Sequence, residues 1–357
     1  MLWAFWRKRQ RRADAATLTV EDHEKLRLLM ALVNDSSQPN LNYLLNAVRD
    51  VRVLSLNMKA FGYELAQRLA QVLPPRTDTQ AQTIGLTSKM SVQSDIESDW
   101  VAHWCAELRT PVLYHRKLWE LAYALQALHE GGVLRSGARA LGFGCGGEPI
   151  ASYLAAQGLS ITVTDLPIEA SRGLGWIETN QHASSLDGAY HPGFLSRELF
   201  DQRVDFRPVD MMAIPADLTG YDACWSICAL EHLGSIANGL DFIRRSLDTL
   251  RPGGIAVHTT EFNIEGDGPT IDNWPSVLFQ RRHMEQLAAE LEAEGHHVAP
   301  FDFALGEQPL DRFIDVPPFI HDLPEEWAKW MGAPAHLKVS VDGFVATCFG
   351  LVVTKGE

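Results

Sequence analysis

The sequence lacks any apolar run that approaches the roughly 20 residues needed to span a membrane, so it predicts no transmembrane helix. Basic residues are also in the minority: 31 Lys and Arg stand against 45 Asp and Glu, which gives a formal net charge of −14. A broad basic face for nucleic acid is therefore not expected. The 357 residues, 46% of them hydrophobic and 21% charged, have the length and composition of a globular protein with a full core.

Cysteine is scarce, and its spacing excludes paired motifs. The chain has 5 cysteines, an odd number, and none of them forms a C-x-x-C pair. We interpret them as buried free thiols, which predicts a cytoplasmic protein in a reducing compartment. The cysteines are Cys105, Cys145, Cys224, Cys228 and Cys348.

The most informative feature that the sequence does contain is a glycine-rich loop between two apolar runs. Residues 138–149 lead through the loop, helix-compatible sequence follows, and the second apolar run, 161–165, ends in Asp165. Glycines let a ligand approach the backbone, and the helix beyond offers N–H groups to an anion. Asp165 can accept both hydroxyls of a ribose, so the pattern predicts an adenosine-containing cofactor. The loop residues are Gly142, Gly144, Cys145, Gly146 and Gly147.

Taken alone, this loop also fits the G-x-G-x-x-G pattern of dinucleotide-binding enzymes. The sequence that follows separates the two interpretations. Val204–Asp210 predicts a third strand that ends in another carboxylate, and Tyr221–Ile227 predicts a fourth strand. An amphipathic helix over 236–250, the turn Leu250–Gly254 and a fifth strand at Ile255–Thr260 complete the pattern. A sixth strand is predicted further on, at His297–Phe303.

In this order the motifs resemble the class I S-adenosylmethionine-dependent methyltransferases over residues 115–357. The resemblance implies an α/β fold with a Rossmann-like, doubly wound, seven-stranded sheet, preceded by an N-terminal helical region. Its last strand, Gly343–Val353, is expected to be antiparallel. The resemblance also implies S-adenosylmethionine as the cofactor, with Asp165 on the ribose and Asp210 on the adenine amine. A nicotinamide-dependent enzyme would predict neither Asp210 nor the last strand. The implied cofactor-binding residues are Gly142, Gly144, Cys145, Gly146, Gly147, Asp165, Leu166, Asp210, Met211, Met212 and Ser226.

A narrower resemblance is to a bacterial branch found near glycosyltransferases in polysaccharide loci. It implies O-methylation of a sugar or glycan hydroxyl in polysaccharide or glycoconjugate biosynthesis. Two alternatives remain: a small-molecule O- or N-methyltransferase of secondary metabolism, and a catalytically idle methyltransferase fold that serves as a binding protein. The glycine loop, Asp165 and Asp210 argue against the idle fold. The segments that carry the narrower resemblance are Ser94–Trp100, His115–Glu120, Trp225–Ser235, His258–Asn263, Leu278–Glu285 and Asp315–Pro318.

An alcohol acceptor needs a group that takes its proton, and His232, just after the fourth strand, is the predicted general base. Glu231 would orient His232 or contact the cofactor, whereas the alternative is that both residues only cap the following helix. His258 and Glu261 lie three residues apart on a strand and so point to opposite faces. Glu261 is nearer the carboxyl end and is the third predicted catalytic residue. Glu231, His232 and Glu261 do not have the spacing of a tight metal site, so a divalent metal is not favoured.

The chain divides into three predicted regions: a basic aromatic segment at 1–12, a helical preface and lid-like linker at 13–110, and the methyltransferase domain at 111–357. Segment 1–12 is predicted to make weak contact with the inner membrane surface. The alternative is that it is a disordered N-terminal segment with no function. The preface is predicted to cover the sheet, form a lid or form a homodimer.

Three stretches outside the motifs also carry predictions. Residues 76–99 are polar and indicate a solvated linker. The loop 262–276 is predicted to face the acceptor, because ligands bind at the carboxyl ends of strands in such sheets. The long connection 302–338 is predicted to determine acceptor specificity, because a compact domain rarely keeps that much irregular chain without a use. Five aromatic side chains before the glycine loop either line the site or pack helix against sheet. They are Trp100, Trp104, Tyr114, His115 and Trp119.

Overall fold

A computed structural model divides the chain into two compact units, Met1–Met58 and Lys59–Glu357. In the first unit, α1 (Val20–Ala31) and the beginning of α2 (Leu41–Val72) are helices where the sequence predicts them. The basic segment 1–12 lies outside the described residues. The structure describes residues 19–33, 41–74, 76, 79–167 and 185–357.

The second unit contains the end of α2 and the elements that follow it. Among the described residues, no helix is both long enough and apolar enough to cross a membrane. The further helices are α3 (Gln93–Ile96), α4 (Asp99–Glu107), α5 (Arg116–Glu130), α6 (Ile150–Ala156), α7 (Leu186–Ala189), α8 (Arg197–Arg203), α9 (Ile236–Asp248), α10 (Arg281–Ala293) and α11 (Glu325–Met331). The strands are β1 (Ser88–Met90), β2 (Arg139–Phe143), β3 (Ser160–Asp165), β4 (Val204–Pro208), β5 (Tyr221–Ile227), β6 (Leu250–Asn263), β7 (His297–Val298), β8 (Phe301–Asp302), β9 (Ile314–Asp315), β10 (Lys338–Val341) and β11 (Phe344–Thr354).

The strands of the described residues form one sheet with the main order β4-β3-β2-β5-β6-β11-β1-β8. Neighbours from β4 to β6 are parallel, and β11 runs antiparallel to β6. The predicted doubly wound α/β fold with an antiparallel last strand is therefore confirmed. The sheet has eleven strands rather than seven, because the predicted sixth strand is divided into β7 and β8 and because β1, β9 and β10 join it.

The strand β1 lies where the sequence indicates a solvated linker. Lys89 pairs with Gly350 of β11 on one side and with Asp302 of β8 on the other. The buried hydroxyls of Ser91 and Thr347 form a hydrogen bond of 2.8 Å just beyond β1. The sequence missed β1 because a short strand gains its stability from cross-strand partners, which its own polar composition does not reveal.

The tryptophans that precede the glycine loop pack in the core. Nε1 of Trp104 donates a hydrogen bond of 2.7 Å to Gln126, and Nε1 of Trp119 donates one of 2.8 Å to Asp95. Both rings are buried. Their polar N–H groups also have hydrogen-bond partners. These two side chains therefore pack helix against sheet and do not line an open site.

His258 and Glu261 face opposite sides of β6, as strand alternation predicts. The buried His258 ring hydrogen-bonds through Nδ1 to Ser226 at 2.8 Å and through Nε2 to Ser246 of α9 at 3.0 Å. Glu261 instead contacts Arg116 of α5. Helices therefore cover both faces of β6, and His258 is a core residue.

The buried His258 makes stability depend on pH. Burial lowers its pKa from 6.5 to about 3, so the folded state stays unprotonated where the unfolded state takes up a proton. Stability is therefore lost as pH falls below 6.5, by about 1.4 kcal/mol per pH unit from this group. Urea denaturation measures the free energy of unfolding of wild type and of His258→Asn. The difference in favour of wild type should decrease by that amount for each pH unit of acidification. Parallel pH profiles for the two proteins would contradict this, and His297→Asn, at an exposed position, serves as the control.

Candidate active site

The glycine loop joins β2 to α6 in a conformation that requires residues without side chains. Gly144 and Gly146 have positive φ angles of 58° and 49°. A Cβ atom on Gly142 would clash with the ring of Trp225, and one on Gly144 would lie only 2.8 Å from the Cβ of Ala229. Glycine is therefore required for both backbone conformation and close packing at this turn.

Asp165 connects the end of β3 to the glycine loop. One carboxylate oxygen accepts the N–H of Gly146 at 3.2 Å, and the other accepts the N–H of Leu166 at 2.8 Å. The N–H of Cys145 donates to the carbonyl of Thr164 at 3.1 Å, which fixes the loop to the same strand. The predicted ribose ligand thus lies directly beside the loop.

Asp210 and the two methionines after it form a turn that meets the glycine loop. The exposed Asp210 accepts the N–H of Met212 at 2.8 Å, which closes the turn. Met211 is buried, and its sulfur would lie 3.6 Å from a Cβ atom on Gly144. The residues predicted to contact adenine are therefore adjacent to the loop.

Ser226 differs from the other predicted cofactor residues in its placement. Its side chain is buried and bonded to His258, on the face of the sheet that α9 covers. Strand alternation turns this hydroxyl away from α5, whereas the neighbouring Trp225 ring lies under the glycine loop. A cofactor contact by the Ser226 hydroxyl is thus not available in this arrangement.

Glu231 occupies a 3₁₀ turn, Leu230–His232, just after β5. Its carboxyl is 0% exposed, and one oxygen accepts the hydroxyl of Thr260 at 3.2 Å. The other oxygen, Oε1, has no hydrogen-bond partner among the described residues. Burial raises the pKa of Glu231, although the nearby His232 acts in the opposite direction.

Glu261 forms an ion pair with Arg116 of α5, at 2.5 Å between the charged atoms. The two side chains are only 11% and 15% exposed. Burial acts to raise the pKa of Glu261, but the Arg116 guanidinium outweighs it and holds the pKa below its usual value. Glu261 is therefore a carboxylate at neutral pH.

His232 has a defined tautomer. Its Nδ1 lies 3.1 Å from the carbonyl oxygen of Pro275. Because a carbonyl oxygen only accepts hydrogen bonds, Nδ1 carries the hydrogen, and the lone pair of the neutral ring is on Nε2. The loop 262–276 thus orients the predicted base.

The beginning of α5 brings further polar groups to the site. Nζ of Lys117 lies 3.1 Å from one oxygen of Glu120, and the thiol of Cys348 lies 2.5 Å from the other. The sulfur atoms of Cys348 and Cys228 are 3.7 Å apart. Among the described residues, Glu120, Cys228 and Cys348 are the group of three metal-type ligands whose ligand atoms lie within 4.8 Å of one another. This group differs from the one considered from the sequence.

The long connection 302–338 is anchored next to α5 by the buried Asp315. Its carboxylate forms an ion pair with Lys59 and accepts hydrogen bonds from Tyr63 at 3.0 Å and from Nδ1 of His336 at 2.7 Å. The His336 ring stacks on His115, at 4.8 Å between centroids. The connection therefore packs against the residue that precedes Arg116.

Residues 114–302, more than half of the chain, match the model of a family described as a methyltransferase domain. The chain belongs to this methyltransferase family. It is an S-adenosylmethionine-dependent methyltransferase, and S-adenosylmethionine is its cofactor. The predicted enzyme class and cofactor are thus confirmed.

Several solved structures are similar to the chain at low identity. The [4+2]-cyclase SpnF is 23% identical over 67% of this chain and 83% of its own, with a TM-score of 0.42. Phosphoethanolamine N-methyltransferase 2 of Haemonchus contortus is 15% identical over 75% and 59%, with a TM-score of 0.41. An S-adenosylmethionine-dependent methyltransferase of Mesorhizobium loti is 15% identical over 64% and 96%, with a TM-score of 0.35. No curated protein matches the chain.

The ribose-binding role of Asp165 is a prediction that a variant can test. We expect Asp165→Ala to weaken S-adenosylhomocysteine binding at least about tenfold, because hydrogen bonds to a charged acceptor are each worth roughly 1.5–3 kcal/mol. Isothermal titration calorimetry measures this, and NAD should not bind either protein. Asp205→Ala, at an exposed position on β4, is the matched control. Unchanged affinity in Asp165→Ala would remove the ribose role.

Proposed function

We propose that this methyltransferase O-methylates a hydroxyl of a sugar or glycan in bacterial polysaccharide or glycoconjugate biosynthesis, with His232 as the general base. The observation that carries the proposal is the hydrogen bond between Nδ1 of His232 and the carbonyl of Pro275. It leaves the basic lone pair on Nε2, which an alcohol acceptor needs and a neutral amine does not.

The transfer itself is an in-line substitution at the methyl carbon. The acceptor oxygen forms a bond to that carbon while the carbon–sulfur bond of the sulfonium breaks, and the hydroxyl proton passes to Nε2 of His232. The protein's contribution is to align donor and acceptor and to accept the proton. Glu261, held ionised by Arg116, supplies negative charge near His232.

Exposed tryptophans support a carbohydrate acceptor. Trp274, next to the residue that orients His232, is 58% exposed. On α11, Trp327 and Trp330 are 47% and 74% exposed, and their rings pack edge to face at 6.1 Å. Large aromatic faces open to solvent provide apolar surface of the kind that the C–H face of a sugar ring covers.

An acceptor panel tests the proposal. The full-length protein is incubated with isotopically labelled S-adenosylmethionine and either nucleotide sugars and oligosaccharides or small phenols and amines, and products are identified by mass spectrometry. Label on a sugar oxygen supports the proposal. Label on a phenol or amine favours the secondary-metabolism alternative. If S-adenosylhomocysteine binds but no acceptor is labelled, the catalytically idle alternative is favoured.

We further propose that the enzyme acts in the cytoplasm, and that its two N-terminal regions make its contacts with partners. Exposed apolar side chains on α2 support a homodimer through the helical preface. They include Val48, Val51, Leu54, Met58 and Phe61.

Residues 1–12 are expected to give weak, reversible attachment to the inner membrane surface. Each basic side chain near an anionic bilayer contributes about 1 kcal/mol, and interfacial aromatics add apolar burial. The full-length protein should therefore co-sediment with anionic vesicles at low salt, and deletion of 1–12 should abolish this while S-adenosylhomocysteine binding persists. Equal sedimentation of both proteins would contradict the attachment. The side chains concerned are Trp3, Phe5, Trp6, Arg7, Lys8, Arg9, Arg11 and Arg12.

A further inference from the structure

Two thiols and a carboxyl from three separate elements converge beside the site. Glu120 belongs to α5, Cys228 follows β5, and Cys348 lies in β11. Cys348 is paired in register with Glu261 of β6, which places its sulfur at the site of the Arg116–Glu261 ion pair. Thiolate and carboxylate are both ligands of zinc.

The separation of the two sulfur atoms fits a shared metal better than a disulfide. Two thiolates at about 2.3 Å from a tetrahedral zinc ion are about 3.8 Å apart. The sulfur atoms of Cys228 and Cys348 are 3.7 Å apart. A disulfide would require them to approach to about 2.05 Å, with a corresponding movement of the backbone. The spacing of the two thiols therefore accommodates an ion without such a movement. The oxygen of Glu120, which accepts the thiol hydrogen of Cys348 at 2.5 Å, would have to turn away by about 1 Å to bind the same ion.

The surrounding charges also fit a zinc ion bound by three anionic ligands, because the +2 ion and its three ligands together would carry a charge of −1. Lys117 pairs with the second oxygen of Glu120, and Arg116 lies 3.7 Å from the sulfur of Cys348. These cations would offset the excess negative charge. Each thiol would release its proton as the metal binds, because the thiolate is the form that ligates zinc.

The position of Cys228 is held by its backbone, and a fourth group lies near it. Cys228 has a positive φ angle of 45°, and its N–H donates to the carbonyl oxygen of Thr259 at 3.0 Å. Its side chain is partly exposed, which leaves a route for an ion. The buried Oε1 of Glu231, three residues further along the chain, lacks a hydrogen-bond partner among the described residues.

We propose that Glu120, Cys228 and Cys348 bind one zinc ion, with the fourth position left to water or to an acceptor heteroatom. Three protein ligands with an open position are the arrangement of zinc sites that activate a bound group, whereas closed structural sites have four. The binding step requires no oxidant or reductant: zinc replaces two thiol protons.

Cobalt(II) titration of the reduced full-length protein tests the site without any acceptor, so its result is independent of the proposed function. We expect one equivalent of cobalt to produce the thiolate charge-transfer absorption and the intense visible bands of a tetrahedral site, and zinc to displace it. Cys228→Ser and Cys348→Ser should each remove about half of the charge-transfer intensity. Cys105→Ser, a buried cysteine on α4, should retain it fully.

Two results would overturn the metal site. The first is the absence of a thiolate band in wild type, or a band that survives in the Cys228→Ser, Cys348→Ser double variant. The second is an intact mass, measured without reductant, that is lower by two hydrogens in wild type and in Cys105→Ser, which would assign the pair as a disulfide. Calorimetry with S-adenosylhomocysteine shows whether each variant is folded, and the wild-type spectrum needs no variant at all.

Discussion

His232→Ala is expected to lower turnover by roughly 100-fold or more, because it removes the group that takes the acceptor's proton. The affinity for S-adenosylhomocysteine should stay nearly unchanged, since the loop 262–276 orients His232 and the predicted cofactor residues lie on other loops. Turnover is measured under saturating cofactor with the acceptor found in the panel, and cofactor affinity by calorimetry. The loss should lie in kcat more than in KM.

A matched histidine variant separates loss of the base from general damage. His297→Ala removes an exposed ring from β7. This strand pairs with the C-terminal end of β11, at Val353 and Thr354. It should have nearly normal turnover. Near-normal turnover in His232→Ala as well would return this residue to a helix-capping role. If a chelator abolishes wild-type activity and a divalent metal restores it, proton transfer through His232 alone is insufficient.

Arg116→Met is expected to have the largest effect on stability. It leaves Glu261 as a buried carboxylate without its cation, and removal of one partner from such a pair costs about 3–5 kcal/mol in the free energy of unfolding. The low exposure of both side chains, 15% and 11%, means that water does not screen the pair. Urea denaturation measures the loss, and acceptor turnover should fall with it.

Two further variants define the reason for that loss. Arg116→Met with Glu261→Met removes both charges and should recover most of the stability, but not turnover if the pair serves the reaction. Arg281→Met breaks an exposed pair with Glu285, and should change stability little. If Arg116→Met is as stable as Arg281→Met, the buried pair is not the stabilising contact that its geometry indicates.

The cofactor side of the site could be predicted from the sequence because its information is local. Within one strand–loop–helix unit, the glycines and Asp165 occupy fixed offsets that the backbone geometry requires. The parallel strands were likewise readable from short apolar runs, and β5 has the predicted bounds Tyr221–Ile227. Where the periodicity was interrupted by Pro300, the single predicted strand became two.

The proposed acceptor side was less predictable because its contacts depend on register between distant segments. Nothing near Arg116 in the sequence indicates that it pairs with Glu261, and the meeting of Cys228 with Cys348 depends on how β11 lies against β6. Ser226 shows the same limit within a strand. Its position suggested a cofactor contact, but alternation along β5 directs its hydroxyl to His258.

The buried contact of Asp315 with Lys59 and Tyr63 has a consequence for where this enzyme can be shortened. A fragment that begins at the glycine loop, or even at β1, would leave the Asp315 carboxylate inside the protein with neither its cation nor its phenol donor. The connection 302–338, which carries α11, would then lose this anchor, although it lies more than 200 residues beyond Lys59 in the sequence. We therefore expect a fragment that keeps this anchor to begin within α2, no later than Lys59, so that the last turns of that helix are retained.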